Sequence, residues 1–206
     1  MNINTKSILI LGICLSMKYL EDKNMMHCNL KPSKILLNDS NCPILNGIGR
    51  KYTREEIENE EENRIIINYM APKVIENQQY SIKSDVYSYA LIINQLFTNE
   101  IPYSNLNSNQ QIIDEITNNR LPQIYQHNNW NIRPIIDKCL KKDPAQRPSF
   151  NDIYNELMQI FGSSSYKRFT DKYLYKIESQ INCPIVFYRI LKIIFYNFAR
   201  ALMINN

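Results

Sequence analysis

His27-Cys28-Asn29-Leu30-Lys31-Pro32-Ser33-Lys34-Ile35-Leu36-Leu37 is the stretch on which the reading of this chain turns. Residues 27–34 read as a loop, and Ile35–Leu37 as a short strand leaving it. Asn38-Asp39-Ser40-Asn41 then reads as a turn, because these side chains bond their own backbone in place of a ladder. Cys42–Leu45 answers as the second strand of a small hairpin. Ahead of the loop, residues 5–20 predict a helix, since Ile8, Leu11, Leu15 and Leu20 fall near one face.

Downstream, residues 51–64 (KYTREEIENEEENR) are polar and acidic, which predicts an exposed loop. Pro72 suits a first helical turn. Residues 84–98 (SDVYSYALIINQLFT) are apolar nearly all round, and a helix of that kind belongs in the middle of a domain. Further helices are expected at about 108–118, 131–141 and 149–161, the last capped by Ser149 or Asn151.

Four stretches, in order, resemble the protein kinase family. Residues 27–37 resemble its catalytic loop, H-R-D-L-K-P-x-N followed by an apolar strand. Asn68-Tyr69-Met70-Ala71-Pro72-Lys73 resembles Y-M-A-P-E, which closes the activation segment. Residues 84–103 resemble S-D-V-W-S-[FY]-G running into L-F-T-G-x-x-P-[FY], with Asn99 for the glycine. Asp143–Phe150 resembles D-P-x-x-R-P-[ST]-F. The details look most like the tyrosine-kinase-like and receptor-type branches. The resemblance implies a mainly α, α+β-family fold over residues 5–161: a C-terminal lobe of helices around a buried central helix, with a small β-hairpin and the N-terminal lobe missing.

The resemblance also assigns the chemistry, and the residues depart from it. Asn29 stands at the position of the catalytic aspartate, and an amide cannot serve as that base. Cys28 replaces the arginine, and Lys34 the metal-binding asparagine. Asn46, in Leu45-Asn46-Gly47, best matches the metal-binding aspartate of D-F-G. No acidic residue occurs between Ser40 and Arg54, so no register supplies the carboxylate that magnesium needs. By its residues alone, Asn46-Gly47 is a tight turn between strands. Lys31 keeps the position of the lysine that contacts the transferred phosphate, and the resemblance gives Lys34 and Leu36 as the cofactor-binding positions, Lys34 in degenerate form. The four glycines, at 12, 47, 49 and 162, form no G-x-G-x-x-G, and no V-A-I-K lysine is found. The expected metal set is therefore empty, and no cofactor is expected; ATP and Mg²⁺ enter only if the family activity survives.

The structural positions match better. Asp85 corresponds to the central-helix aspartate that holds the catalytic-loop backbone, and His27 to the histidine packed against it. Arg147 corresponds to an arginine paired with the glutamate of A-P-E, which is Lys73 here. Two facing buried cations would be costly, so one must turn outward or find another acid, with Glu76 and Glu156 as candidates. Ile66 takes the place of a substrate-side threonine.

Composition sets outer bounds. The chain has 206 residues, 44% hydrophobic and 21% charged, which fits a globular protein with one sizeable core. A net charge of +4 is too mild to indicate nucleic acid. Five cysteines without a C-x-x-C pair suit a reducing, cytoplasmic setting. Ser7–Met17 loosely imitates a secretory signal, but a helix entering the loop accounts for it better. Residues 162–206 lie beyond the resemblance and read as a linker and an amphipathic helical tail. Within the tail, 185–204 could touch a membrane surface or a partner, or pack on the domain. The reading is a truncated, catalytically inactive kinase-like domain that binds a protein through its exposed upper face. The alternative is an ATP-dependent Ser/Thr or Tyr kinase whose N-terminal lobe is absent from this chain.

Overall fold

The computed structural model describes residues 3–37, 43–58, 66–125 and 131–162. Helix α1 (Ile3–Asp22) leads into the loop, and a single 3₁₀ turn at Pro32–Lys34 delivers the chain into β1 (Ile35–Leu37). Strand β2 (Pro43–Leu45) pairs with β1 antiparallel, with Leu36 opposite Ile44. Then follow α2 (Arg54–Glu58), α3 (Pro72–Asn77) and α4 (Ile82–Thr98). Helices α5 (Asn109–Thr117), α6 (Arg133–Cys139) and α7 (Phe150–Gly162) complete the lobe.

Helix α4 is the axis. Residues Ser84–Asn94 are all buried, so the helix meets protein on every side. Its start is fixed by reciprocal bonds between Ser81 and Ser84. Its end is the left-handed Asn99 at φ +59°, where Asn does the work more often given to glycine. Helices α1 and α6 pack on α4, and α7 packs on α1. Tyr89 shows how the layers lock: its ring meets Phe150 edge-on at 5.6 Å, while its hydroxyl donates to Ile10 O at 2.8 Å.

Three expectations change on contact with the structure. Helix α1 buries Leu9, Ile10, Ile13, Cys14 and Met17 as well as the four residues of the single face, because α4, α7 and β2 surround it. Residues 54–58 of the acidic segment form a short helix: the Thr53 N–H donates to Glu56 Oε2, and the Glu56 N–H donates back to Thr53 Oγ1. Asn46-Gly47 does not join two strands. It ends β2, and residues 51–53 carry no strand. Ser149, rather than Asn151, caps α7, its Oγ accepting from Asp152 N at 3.1 Å. Gly162, expected to open the linker, ends α7; the 38–41 turn and residues 163–206, with the 185–204 segment, fall outside the described residues.

Candidate functional site

The loop is held from beneath by the first turn of α4. Asp85 Oδ2 accepts the N–H of His27 at 2.8 Å, and Oδ1 accepts that of Cys28 at 2.9 Å. Two parallel bonds to one carboxylate fix the direction of the chain, and Cys28 turns there at φ +64°. His27 continues the pattern: its Nδ1 accepts from Asn29 N at 3.3 Å, and its carbonyl accepts from Gly49 N at 2.9 Å. The loop and the segment after β2 are thereby tied at one residue. Both side chains are buried. Burial pushes the Asp85 carboxyl up to about 7 against the pull of the two N–H donors, and pushes the His27 imidazole down to about 4. His27 is therefore neutral near pH 7.

The residues that the catalytic positions would supply lie above this clamp. Asn29 is buried, and its Nδ2 donates to the hydroxyl of Tyr52 at 3.0 Å. Lys31 is buried at 9% exposure, and Lys34, half-buried, is the charge that acts on it. Desolvation, then Lys34, brings the Lys31 ammonium down to about 8. Asn46 is held by its backbone, its N–H donating to Lys34 O at 2.8 Å. Gly47 follows at φ +74°, and a Cβ there would stand 3.3 Å from Lys34 Cδ and 3.5 Å from its Nζ. The bare glycine thus lets the Lys34 side chain lie across the turn. Leu36, Leu37 and Ile44 are exposed on the hairpin, whereas Leu45 is buried on the opposite face in the core. The exposed apolar surface is therefore Leu36 with Ile44.

This donor set does not fit a magnesium nucleotide. Magnesium takes hard oxygen ligands, chiefly carboxylates, and the positions present amides and an ammonium group. Among the described residues, no three His, Cys, Asp or Glu side chains gather as a metal site.

Arg147 solves its missing acid in an unforeseen way. At 2% exposure it donates from Nε to Lys141 O (2.7 Å), from Nη1 to Lys83 O (2.8 Å) and from Nη2 to Lys142 O (3.0 Å). Its guanidinium also lies over the Tyr87 ring at 5.0 Å. Lys73 turns outward to Glu76 at 2.9 Å, and Glu156 pairs with Lys138. Neither candidate acid serves Arg147. Backbone carbonyls do.

Tyr52 and Tyr80 escaped the sequence reading. Tyr52 meets Asn29, lies under the Arg50 guanidinium, and donates its N–H to Tyr80 Oη at 2.9 Å. In a chain with 14 tyrosines, nothing in their spacing singles these two out.

Helices wrapped around a buried α4, with a loop pinned by that helix's first-turn carboxylate and a two-stranded hairpin above it, form the C-terminal lobe of a protein-kinase-like domain. The family description "Protein tyrosine and serine/threonine kinase" matches residues 1–157, and the chain belongs to that family. It is 30% identical to the serine/threonine-protein kinase STY17 of Arabidopsis thaliana over 152 residues, covering 73% of this chain and 26% of that protein. It is 27% identical to protein-tyrosine kinase 6 of Mus musculus over 151 residues, covering 72% and 32%. The Raf homolog serine/threonine-protein kinase of Caenorhabditis elegans is 28% identical over 161 residues, covering 72% and 20%. The chain thus spans roughly a quarter of the length of these relatives.

Proposed function

We propose that this kinase-like domain does not transfer phosphoryl groups and works by binding. The observation that carries the reading is the pair Lys31 and Lys34 beside Asn29 and Asn46, where catalysis in this family needs a base and metal ligands. Positive side chains repel the magnesium that would neutralise a developing phosphate charge. Loss of several jointly acting groups is not repaired by the survival of one lysine.

The surface that suits a protein partner is the exposed apolar patch of Leu36, Leu37 and Ile44 on the hairpin. A cytoplasmic setting agrees with the free thiols of Cys14, Cys28 and Cys139. Among the described residues, no helix is long and apolar enough to cross a membrane.

The test is phosphoryl transfer from labelled ATP with magnesium or manganese, to itself or to a generic protein substrate. No transfer above the level of Lys31→Ala is expected. Transfer that Lys31→Ala abolishes would sink the reading. It would favour the second one, an ATP-dependent kinase completed by another lobe, for which family membership and the intact Asp85–His27 clamp speak.

A further inference from the structure

The large apolar side chains exposed among the described residues fall in two places. Leu36, Leu37 and Ile44 stand on the hairpin, and Ile101 and Leu121 stand beyond the C-terminal end of α4. The second pair rims a concavity of about 280 Å³, which Pro102, Leu106 and Pro122 also line. Its charged side chains are Glu100 and Glu115, and no lysine or arginine lines it.

Buried side chains hold the walls in place. Asn94 of α4 donates from Nδ2 to Gln123 O at 2.8 Å, and its Oδ1 accepts the Tyr125 N–H at 2.9 Å. Tyr103 turns the 100–106 loop at φ +59° and donates its hydroxyl to Arg120 O at 3.1 Å, tying one wall to the other. The concavity is therefore formed before anything enters it, and an occupant does not have to order its walls.

Charge selects the occupant. Glu115 is answered by Arg120 at 2.8 Å, whereas among the described residues no cation or donor holds the Glu100 carboxylate. A segment with bulky apolar side chains, a cation and no acid complements such a site. Residues 185–204 have that make-up: Phe187, Leu191, Ile194, Phe198 and Leu202 recur at helical spacing, Arg189, Lys192 and Arg200 carry the charge, and no acid follows Glu178. An apolar stretch of that kind calls for cover. The connection allows it, since residues 163–184 can reach up to about 70 Å, beyond the span of a lobe whose radius of gyration is about 15 Å. A tethered segment also meets the concavity at a high effective concentration. The hairpin suits it less, because Lys34 at the root of β1 has the same sign as Arg189 and Lys192.

We propose that residues 185–204 dock in cis on the concavity between α4 and α5, with their apolar side chains on Ile101, Leu121 and the prolines and Lys192 on Glu100. The inference stands apart from the non-catalytic reading and leaves the hairpin open to another protein.

The test uses the whole chain at low concentration, where copies seldom meet. A zero-length carbodiimide joins a carboxylate to an amine it already touches, and Lys192 is the one lysine of the segment. Mass spectrometry of the monomer fraction should find Glu100 joined to Lys192. In a second arm, brief trypsin treatment reads how open Arg200 is. Glu100→Lys should speed cleavage after Arg200 by about two- to fivefold, the range that an exposed ion pair supports. Lys192→Glu should do the same, and the two together should restore the parent rate. Leu121→Asp, which places a charge on the apolar rim, should speed cleavage further. Glu100 and Leu121 are exposed, so these variants fold. A monomer without the link, a link confined to cross-linked dimers, or a cleavage rate that Glu100→Lys or Leu121→Asp leaves unchanged would overturn the proposal. So would protection of Arg200 that arises only with vesicles containing phosphatidylserine, which would assign the segment to a membrane surface.

Discussion

Asp85 holds Cys28 in a left-handed conformation: its Oδ1 accepts the Cys28 N–H at 2.9 Å while that residue sits at φ +64°. The loop must reverse there for both of its first N–H groups to reach one carboxylate. A residue with a Cβ meets a steric cost in that region, of order 1 kcal/mol, which the two bonds offset.

The size of that cost is measurable by substitution at position 28. Cys28→Gly removes the Cβ and should leave stability within about 1 kcal/mol of the parent, since lost strain and added unfolded-state freedom oppose each other. Cys28→Val places a branched Cβ at positive φ and should cost about 2 kcal/mol or more. Urea unfolding of the three chains decides it. Equal stability for Val and Gly would mean that the loop does not need this turn.

Stability should depend on pH through the same carboxylate. Burial lifts the Asp85 pKa from 3.8 to about 7, so the folded state holds a proton that the unfolded chain has released. That contribution is fully present below pH 3.8 and is lost as pH rises through 7. Asp85→Asn cannot titrate, so the stability of the parent relative to the variant should fall between pH 5 and pH 8. His27, displaced downward to about 4, works in the other direction between pH 6.5 and 4 in both chains and largely cancels in the comparison. A parent that gains on the variant as pH rises would show that the two N–H donors outweigh burial.

The fold was legible because its signals are local and in order. The all-apolar run 84–98 and the proline at 72 each fix an element by short-range chemistry, and the four stretches that resemble kinase motifs, in order along the chain, place those elements in one lobe. The surroundings of Asn29 and Arg147 were not legible. Tyr52 reaches Asn29 from 23 positions away, and the carbonyls that hold Arg147 belong to any residue that takes that backbone path. Backbone acceptors carry no sequence signature, so a reader of side chains looks for an acid and finds none.

Arg147 and Lys73 should separate sharply when mutated. Arg147→Lys keeps the charge but cannot span three carbonyls with one ammonium, so about 2–4 kcal/mol should be lost from buried acceptors left without donors. Lys73→Ala breaks a pair whose side chains are 39% and 24% exposed and should change stability by less than about 1 kcal/mol. Thermal unfolding of the two variants checks the ordering. A larger loss at Lys73 would mean that its pair with Glu76, and not the carbonyl ring, secures this corner of the lobe.

Restoring the missing charges is the most direct trial of the electrostatic reading. Asn29→Asp, Lys34→Asn and Asn46→Asp together exchange two amides and one ammonium for two carboxylates and one amide, a change of three negative charges at one end of the lobe. Hard oxygen ligands near one another bind magnesium, whereas ammonium groups exclude it. The triple variant should therefore gain a magnesium-dependent rise in melting temperature that the parent lacks. Asn29→Asp alone should not suffice: it leaves Lys34 across the turn, and its new charge would pair with that lysine or with Lys31. Titration of the single and triple variants with magnesium, read by thermal unfolding, distinguishes the two. A parent chain that already responds to magnesium as the triple variant does would show that the cleft finds its carboxylates elsewhere.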